Sequence, residues 1–354
     1  MSVFFSEKYK ALTPYVPGEQ PKERRFIKLN TNESPFPPSK KAQGYAAAAA
    51  QSLQLYSDPT CARLTAKVAE VLGVAPDEVL LTNGSDEILN FAFMAFCDEK
   101  TPAAFADITY GFYKVFAALN GVPYTEIPLK EDFSIDPADY YGLGKTIFIA
   151  NPNAPTGIAL SRDAIEEIVK QNPNTVVVID EAYVDFGAES CVPLIRKYKN
   201  LLVTQTFSKS RSMAGARLGF GVACPELIAD LNTIKYSTNP YNVNSLTLAA
   251  GLGTMEDEEY TRNNCQTVQE NREYLAGELA AMGFVQTSSK ANFIFAKHPR
   301  VAGERIYAAL REKGILVRHF TAPRIAQYNR ITIGARADME ALVRALQEIL
   351  EEEK

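Results

Sequence analysis

The chain has 354 residues, 46% of them hydrophobic, and a formal net charge of −5 at pH 7. This length exceeds what one core usually organises, so we expect a large domain and a smaller one. The acidic balance, with no basic tract, argues against nucleic acid as a partner. The N-terminus lacks the apolar region of a signal peptide and no apolar run is long enough to span a membrane, so we expect a cytoplasmic protein with no membrane partner.

The cysteines and histidines predict no metal site. Five cysteines are scattered without a CxxC pair or a zinc-like spacing, which favours reduced, buried thiols. The two histidines, His298 and His319, offer little material for a histidine-rich metal centre or a Ser-His-Asp triad. We expect His298 on the surface beside Pro299, and His319 near any site that includes Arg318.

The chain opens with a segment rich in proline and polar residues, 1–45, which we predict to be an arm that packs on other parts of the protein or on another subunit. AAAAA at 46–50 favours helix because alanine has the highest helix propensity. Strand-like runs then alternate with helical patterns, which is typical of a mostly parallel sheet covered by helices. The predicted strands are 78–83, 103–106, 146–151, 175–181, 201–207 and 218–223. The predicted helices among them include 61–72, 85–97, 112–120 and 161–170.

The pattern changes after about residue 250, to a long charged helix followed by short strands interleaved with helices. The predicted elements here are helices 255–282, 301–313 and 336–351 and strands 292–296, 315–318 and 330–334. The predicted fold class is therefore α/β, with a large domain over 46–250 built on a mostly parallel central sheet and a smaller α+β domain over 251–354.

Several predicted strands end in polar residues that form loops, at 83–86, 151–153, 180–181 and 208–209. In an open α/β sheet the carboxyl ends of the strands form the ligand crevice. We therefore expect these groups to converge although they are far apart in sequence.

Lys209 lies between two serines, directly after a run that is typical of a buried strand. A lysine in a loop is usually just solvated. Partial desolvation at this place would lower its pKa toward that of a reactive amine, which is what a Schiff-base lysine needs.

Asp180 closes another predicted buried strand, TVVVID. A helix cap or strand-end turn would be the ordinary role of such an acid. However, Tyr183 follows three residues later in DEAY, and Lys209 comes at the end of the next strand. The three residues therefore form a candidate constellation.

Four segments together resemble a fold-type I aminotransferase that uses pyridoxal 5′-phosphate: NPNAPTG (151–157), VVVIDEAYVDF (176–186), TFSKSRSMAGARLGF (206–220) and NRITIG (329–334). With LTPYVPG (12–18), KLNTNESPFPP (28–38), LYSDP (55–59) and NGSDEIL (83–89), the whole chain resembles the histidinol-phosphate aminotransferases. The resemblance implies transfer of an amino group from histidinol phosphate to 2-oxoglutarate in histidine biosynthesis.

Other functions remain open at this point. Aromatic amino-acid aminotransferases and a threonine-phosphate decarboxylase share much of the same pattern. A distant alternative is a non-catalytic regulatory module that binds pyridoxal phosphate. Such regulators resemble fusions with an N-terminal DNA-binding domain, and no helix-turn-helix pattern precedes the core here.

The resemblance implies roles for four residues around the cofactor ring. Lys209 would bind the cofactor as a Schiff base and later move the substrate's proton. Asp180 would pair with the pyridine nitrogen and keep it protonated. Tyr183 would hydrogen-bond the phenolic oxygen and Tyr110 would stack on the ring, although each tyrosine alone would be assigned to packing.

The cofactor phosphate would lie where a helix begins at Gly84, Ser85 and Asp86, because free backbone N–H groups and the helix dipole favour an anion there. Ser208 and Arg217 would complete this phosphate cup, the arginine by charge-assisted hydrogen bonds.

The resemblance implies a homodimer, and the sequence departs from the family at one position. In relatives a tyrosine at the position of Tyr56 reaches the cofactor phosphate of the partner subunit, so the resemblance implies shared sites. Directly before PTG the family usually has asparagine, where this chain has Ala154. Asn153 is a candidate replacement, although a shift of one residue reverses the side-chain direction in an extended segment.

Four further residues are implied to bind the substrate. Arg330, in NRITIG, matches the arginine that binds the substrate carboxylate in this superfamily, and Arg318, in VRHF, matches a second arginine of the histidinol-phosphate group. A planar guanidinium suits a carboxylate and a phosphate alike. Tyr15 and Asn32, from the N-terminal arm, would help to close this pocket.

Overall fold

The computed structural model describes residues 2–21 and 25–353. The strands in this part of the chain are β1 (Ile27–Lys28), β2 (Val79–Thr82), β3 (Ala103–Ala106), β4 (Tyr124–Ile127), β5 (Thr146–Ala150), β6 (Val177–Asp180), β7 (Leu201–Thr206), β8 (Gly219–Ala223), β9 (Val285–Gln286), β10 (Phe293–Lys297), β11 (Ile315–Leu316), β12 (Arg318–His319) and β13 (Asn329–Thr332). The α-helices are α1 (Lys40–Ala49), α2 (Ala62–Leu72), α3 (Ser85–Phe96), α4 (Phe112–Asn120), α5 (Arg162–Lys170), α6 (Pro225–Thr238), α7 (Ser245–Met255), α8 (Glu258–Ala281), α9 (Gly303–Glu312) and α10 (Arg336–Glu352).

The largest sheet has seven strands in the order β2-β8-β7-β6-β5-β3-β4. Strands β4, β3, β5, β6 and β7 pair in parallel, and β8 is antiparallel to both of its neighbours. Its central strands are buried along their whole length, because helices cover both faces. The predicted α/β class with a mostly parallel sheet is confirmed, and the carboxyl ends of β5, β6 and β7 lie side by side.

A second sheet lies toward the C-terminus. It has four antiparallel strands in the order β12-β13-β10-β9 and shares a hydrophobic core with α8, α9 and α10. The arm reaches this region, because β1 pairs in parallel with β11. In β12 and β13, Arg318 and Arg330 are direct cross-strand partners.

Some elements differ from the sequence-based expectation. The edge strand β4 was not expected, since three of its four residues are exposed and it lacks an apolar run. Helices α6 and α7 were also missed, and the single helix predicted over 255–282 is α8 alone, preceded by the end of α7. The predicted strand 315–318 divides into β11 and β12, which belong to different sheets.

The predicted domain boundaries at 45/46 and 250/251 fall inside α1 and α7. These two helices pack closely: a Cβ added to Gly253 would lie 2.8 Å from the Cα of Ala42. We therefore propose that the arm ends before α1 and that the large domain extends to the end of α7.

Three smaller expectations can be compared with the structure. The expectation that His298 lies on the surface is wrong, because it is 5% exposed and packs edge-on against Phe284. All five cysteines are free, and Cys97 is half-buried where the other four are buried. Within residues 2–21 and 25–353, no helix combines the length and the apolar character needed to cross a membrane.

Candidate active site

The carboxyl end of the large sheet opens into a cavity. Residues from β5, β6, β7 and the start of α3 form its wall, as expected from the polar strand ends. The lining residues are Ser85, Asp86, Tyr110, Ala150, Pro152, Ala154, Asp180, Ala182, Tyr183, Thr206, Ser208, Lys209 and Arg217. We call this space the inner cavity.

Lys209 follows β7 by three residues and lines the inner cavity. Its Nζ donates a hydrogen bond to the main-chain oxygen of Thr31 at 3.1 Å. Burial, and next the positive charge of Arg330, lower the pKa of Lys209 to about 8. The amine is therefore partly neutral near physiological pH, as a nucleophilic lysine requires.

Asp180 is the last residue of β6 and is 5% exposed. Its Oδ2 accepts a hydrogen bond from the Tyr113 hydroxyl at 3.0 Å, and its Oδ1 accepts a longer one of 3.4 Å from Thr204 on the adjacent strand. Burial raises the pKa of Asp180 to about 6, although the Tyr113 contact opposes this change. A cation placed beside this carboxylate would be strongly favoured, since both would be shielded from water.

Tyr183 and Tyr110 lie on the wall that the inner cavity shares with a second one. The Tyr183 hydroxyl accepts a hydrogen bond of 3.0 Å from Asn32 Nδ2, and its ring packs edge-on against Phe293. The Tyr110 hydroxyl donates a bond of 2.6 Å to Asp86. Burial, reinforced by Asp86, raises the pKa of Tyr110, so this hydroxyl stays protonated.

The start of α3 and Arg217 form the other end of the inner cavity. Gly84 precedes the helix with φ 77°, and a Cβ there would lie 2.6 Å from Arg217 Nη2, so glycine is needed for this close approach. Arg217 donates to Asp86 Oδ2 at 3.1 Å and to the Ser208 hydroxyl at 3.3 Å. Sequence reasoning assigned only the backbone of Asp86 to this place, whereas its carboxylate also joins Arg217 to Tyr110.

A second cavity adjoins the first and shares Tyr110, Ala154, Tyr183 and Lys209 with it. We call it the outer cavity. Its lining also includes the four residues that the sequence assigned to substrate binding, Tyr15, Asn32, Arg318 and Arg330.

The two arginines of the outer cavity make few hydrogen bonds to the described residues around them. Arg330 Nη2 donates to the Asn30 carbonyl at 3.1 Å, while its buried Nε has no partner among the described residues. Arg318 makes a long contact of 3.5 Å with the Val16 carbonyl. Like charges directly opposite each other in a sheet destabilise it, so this pair favours an anion between them.

The arm supplies the remaining two residues. Asn32 is buried. Its Oδ1 accepts a hydrogen bond of 3.0 Å from the Thr332 hydroxyl, and its Nδ2 donates one to the Tyr183 hydroxyl. Tyr15 packs on Phe112 with ring centroids 4.4 Å apart and is 40% exposed, at the mouth of the cavity.

Two predicted residues do not face these cavities. The amide of Asn153 is buried and bonds to Ile108, Thr109 and Thr156, so it cannot replace the usual asparagine. We correct that expectation: Ala154 forms the cavity wall, because consecutive residues of this segment point in different directions. Tyr56 is 83% exposed and stacks on Tyr241, and lines neither cavity of its own chain.

Sequence reasoning missed two contacts of the site and placed one residue too near. Tyr113, in the first turn of α4, bonds to Asp180, and from sequence alone such a tyrosine is assigned to packing. The Thr31 contact to Lys209 uses a main-chain oxygen, which leaves no trace in residue type. His319 bonds to Asn329 and lines neither cavity.

Comparison with known proteins agrees with this geometry. The sequence profile of the family "Aminotransferase class I and II" matches residues 24–349. The chain belongs to this aminotransferase family. Histidinol-phosphate aminotransferase 1 of Bordetella parapertussis is 49% identical to this aminotransferase, and the alignment covers 99% of each chain. The histidinol-phosphate aminotransferase of Aromatoleum aromaticum is also 49% identical, and the alignment covers 99% of this aminotransferase and 100% of the relative.

A solved structure shows the same fold. The histidinol-phosphate aminotransferase of Sinorhizobium meliloti, in complex with pyridoxal 5′-phosphate, superposes with a TM-score of 0.90 at 22% identity, covering 99% of each chain. The confirmed architecture of this aminotransferase is therefore fold-type I.

The cofactor of this family is pyridoxal 5′-phosphate, and the inner cavity fits it. A half-buried amine with lowered pKa, a buried carboxylate and a glycine that lets an arginine approach closely lie around one space. These are the groups that an aldehyde, a pyridine nitrogen and a phosphate require.

Proposed function

We propose that this aminotransferase transfers the amino group of histidinol phosphate to 2-oxoglutarate, yielding imidazole-acetol phosphate and glutamate in histidine biosynthesis. The observation that carries the proposal is the cross-strand pair Arg318 and Arg330 beside Lys209. The names of the two relatives at 49% identity support the same substrate.

The arginine pair suits both substrates of such an exchange. Glutamate presents an α-carboxylate, whereas histidinol phosphate has none, so its phosphate must occupy the same place. A dianion draws on more than one guanidinium, and Arg318 and Arg330 can both reach one ligand from adjacent strands.

When bound, pyridoxal phosphate supplies an electron sink for the electron pair that remains when the substrate carbon loses its proton. Lys209 Nζ would move that proton, since a pKa lowered to about 8 leaves a fraction of the amine neutral and able to accept it. Asp180 would hold a proton on the ring nitrogen by its charge. Tyr183 would donate to the phenolic oxygen and, because Ala154 offers no amide, would carry more of that contact.

The phosphate end of the cofactor would be held by the start of α3. The backbone N–H groups of Ser85 and Asp86 lie in the first turn of α3, which no side chain of the described residues caps, and Gly84 lets Arg217 come close. Ser208 and Arg217 would complete the cup, and Tyr110 would lie against the ring. Tyr15 and Asn32 would help to close the outer cavity.

The working unit that we propose is a homodimer in the cytoplasm. Tyr56 projects away from its own chain's cavities, as a residue that completes the partner's phosphate site would. The free cysteines support a reducing compartment.

Two measurements on one preparation test the proposal. Borohydride reduction of the holoenzyme should attach the cofactor to the peptide that contains Lys209. A stopped-flow screen of a separate, unreduced portion should show faster amino transfer from histidinol phosphate than from phenylalanine, tyrosine or threonine phosphate. Labelling of another lysine would refute the site, and preference for phenylalanine would indicate an aromatic aminotransferase.

A further inference from the structure

Lys209 lies in a loop outside the helices and strands, between the end of β7 and residue 214. The side chains around it therefore determine where its backbone lies. The next two residues, Ser210 and Arg211, are 5% and 6% exposed and reach the same carboxylate.

That carboxylate belongs to Asp185. Its Oδ2 accepts a hydrogen bond from Ser210 Oγ and another, of 3.0 Å, from Arg211 Nη1. The Arg211 guanidinium also lies over the Phe207 ring, 5.3 Å from its centroid. Both residues that follow the lysine are thus fixed by one acid.

Asp185 is located in a second loop of the site, the turn Val184–Phe186 that begins directly after Tyr183. The Phe186 carbonyl accepts a hydrogen bond of 2.8 Å from the buried Arg272 of α8, which holds the turn from its other side. Asp185 therefore joins the segment of Tyr183 to the segment of Lys209.

We propose that Asp185 is a positioning residue for the amino transfer, which keeps Lys209 Nζ at the carbon whose proton it moves. This inference rests on the proposed function, because it assumes that Lys209 carries that proton. A displacement of about 1 Å at a reacting group can cost on the order of a hundredfold in rate, so two hydrogen bonds next to the lysine can affect turnover.

The test compares four variants as holoenzymes: Asp185→Asn, Asp185→Glu, Ser210→Ala and Glu166→Gln. Asp185→Asn removes the charge, and Ser210→Ala removes one donor without leaving a buried guanidinium unpaired. Glu166→Gln is the matched control, because Glu166 Oε1 also accepts from two side chains, Lys197 and Tyr198, and lines neither cavity. The readouts are cofactor content, kcat and KM for glutamate, and the isotope effect on kcat with glutamate deuterated at its α carbon.

Asp185→Asn should bind cofactor normally, lower kcat about tenfold with little change in KM, and raise the isotope effect, because proton transfer becomes slower. Ser210→Ala should also lower kcat and raise the isotope effect, but by smaller factors. Asp185→Glu should restore part of the rate, and Glu166→Gln should match the wild type. A purely structural role would lower the active fraction and leave the isotope effect unchanged.

The outcomes separate this inference from the proposed function. If Lys209 carries the borohydride label but neither Asp185→Asn nor Ser210→Ala raises the isotope effect, the inference is wrong and the function stands. If Asp185→Asn does not fold, Ser210→Ala alone decides between the two results. If the label lies on another lysine, both are wrong.

Discussion

At the scale of single residues, the two half-buried arginines of the outer cavity differ in how they are held. Arg330 is anchored by the Asn30 carbonyl and packs over Phe293, with Nε left free of protein partners among the described residues. Arg318 makes a longer contact of 3.5 Å with the Val16 carbonyl. This difference predicts different roles toward a monoanion and a dianion.

Replacing Arg330 with Ala should lower kcat/KM for both glutamate and histidinol phosphate, because each places an anion against it. Replacing Arg318 with Ala should affect histidinol phosphate more than glutamate. A lost charge-assisted contact costs about 1.5–3 kcal/mol, or roughly ten- to a hundredfold in kcat/KM. Single-turnover kinetics of each half-reaction measure both effects.

The control for this pair is Arg336→Ala, which removes a cation that packs over Tyr274 and lines neither cavity. It should leave both half-reactions unchanged. Equal losses for the two substrates in Arg318→Ala would contradict the proposed division between the arginines.

Single residues also show which parts of the site could be predicted from the sequence. Lys209, Asp180 and Arg217 were assigned to one site because side-chain type carries their chemistry, and the structure places them around one cavity. Asn153 was misjudged because the partners of its amide, at Ile108 and Thr109, come from a distant loop that no local pattern indicates.

At the scale of elements, the strands buried on both faces were predicted well, since their apolar runs are continuous. The elements that were missed lack such a signal. Strand β4 is an exposed edge, and α7 buries residues on several sides, so neither has a clear period.

Two buried carboxyl groups at the carboxyl end of β6 lower the stability of the folded chain at neutral pH, and this effect can be measured. Asp180 and Glu181 are consecutive and buried, and burial raises their pKa values to about 6 and about 7. Both values lie above those of an unfolded chain, so the folded state binds these protons more tightly. Their contribution to stability is therefore fully present below about pH 4 and is lost as pH rises through 6 and 7.

The free energy of unfolding of the apoprotein should thus decrease between pH 5 and 7.5, with Glu181 responsible for roughly 2 kcal/mol of the change. Glu181→Gln should flatten this pH dependence in urea titrations at several pH values. Glu166→Gln should not, because hydrogen bonds from Lys197 and Tyr198 lower the pKa of Glu166. An unaltered slope in Glu181→Gln would show that this carboxyl titrates normally in the folded chain.

At the scale of the whole molecule, the surface around Tyr56 is unusual for a monomer. Leu53, Leu55, Tyr56 and Tyr241 are 53%, 66%, 83% and 43% exposed, and the two tyrosines stack on each other. Exposed apolar side chains that cluster in this way mark an interface. The proposed homodimer would cover them and would bring Tyr56 to the partner's phosphate cup.

Shared sites can be tested by mixing two defective subunits. Lys209→Ala lacks the reactive amine, and Tyr56→Ala lacks the residue offered to the partner, so each homodimer should be inactive when cofactor is limiting. In a hybrid dimer, one site combines the intact Lys209 of one subunit with the intact Tyr56 of the other, while the second site lacks both. Because half of the dimers in a random equal mixture are hybrids with one good site, about a quarter of all sites should be active. Activity that stays at the level of the separate variants after subunit exchange would mean that Tyr56 does not act across the dimer, whereas activity that rises with the hybrid fraction would place it there.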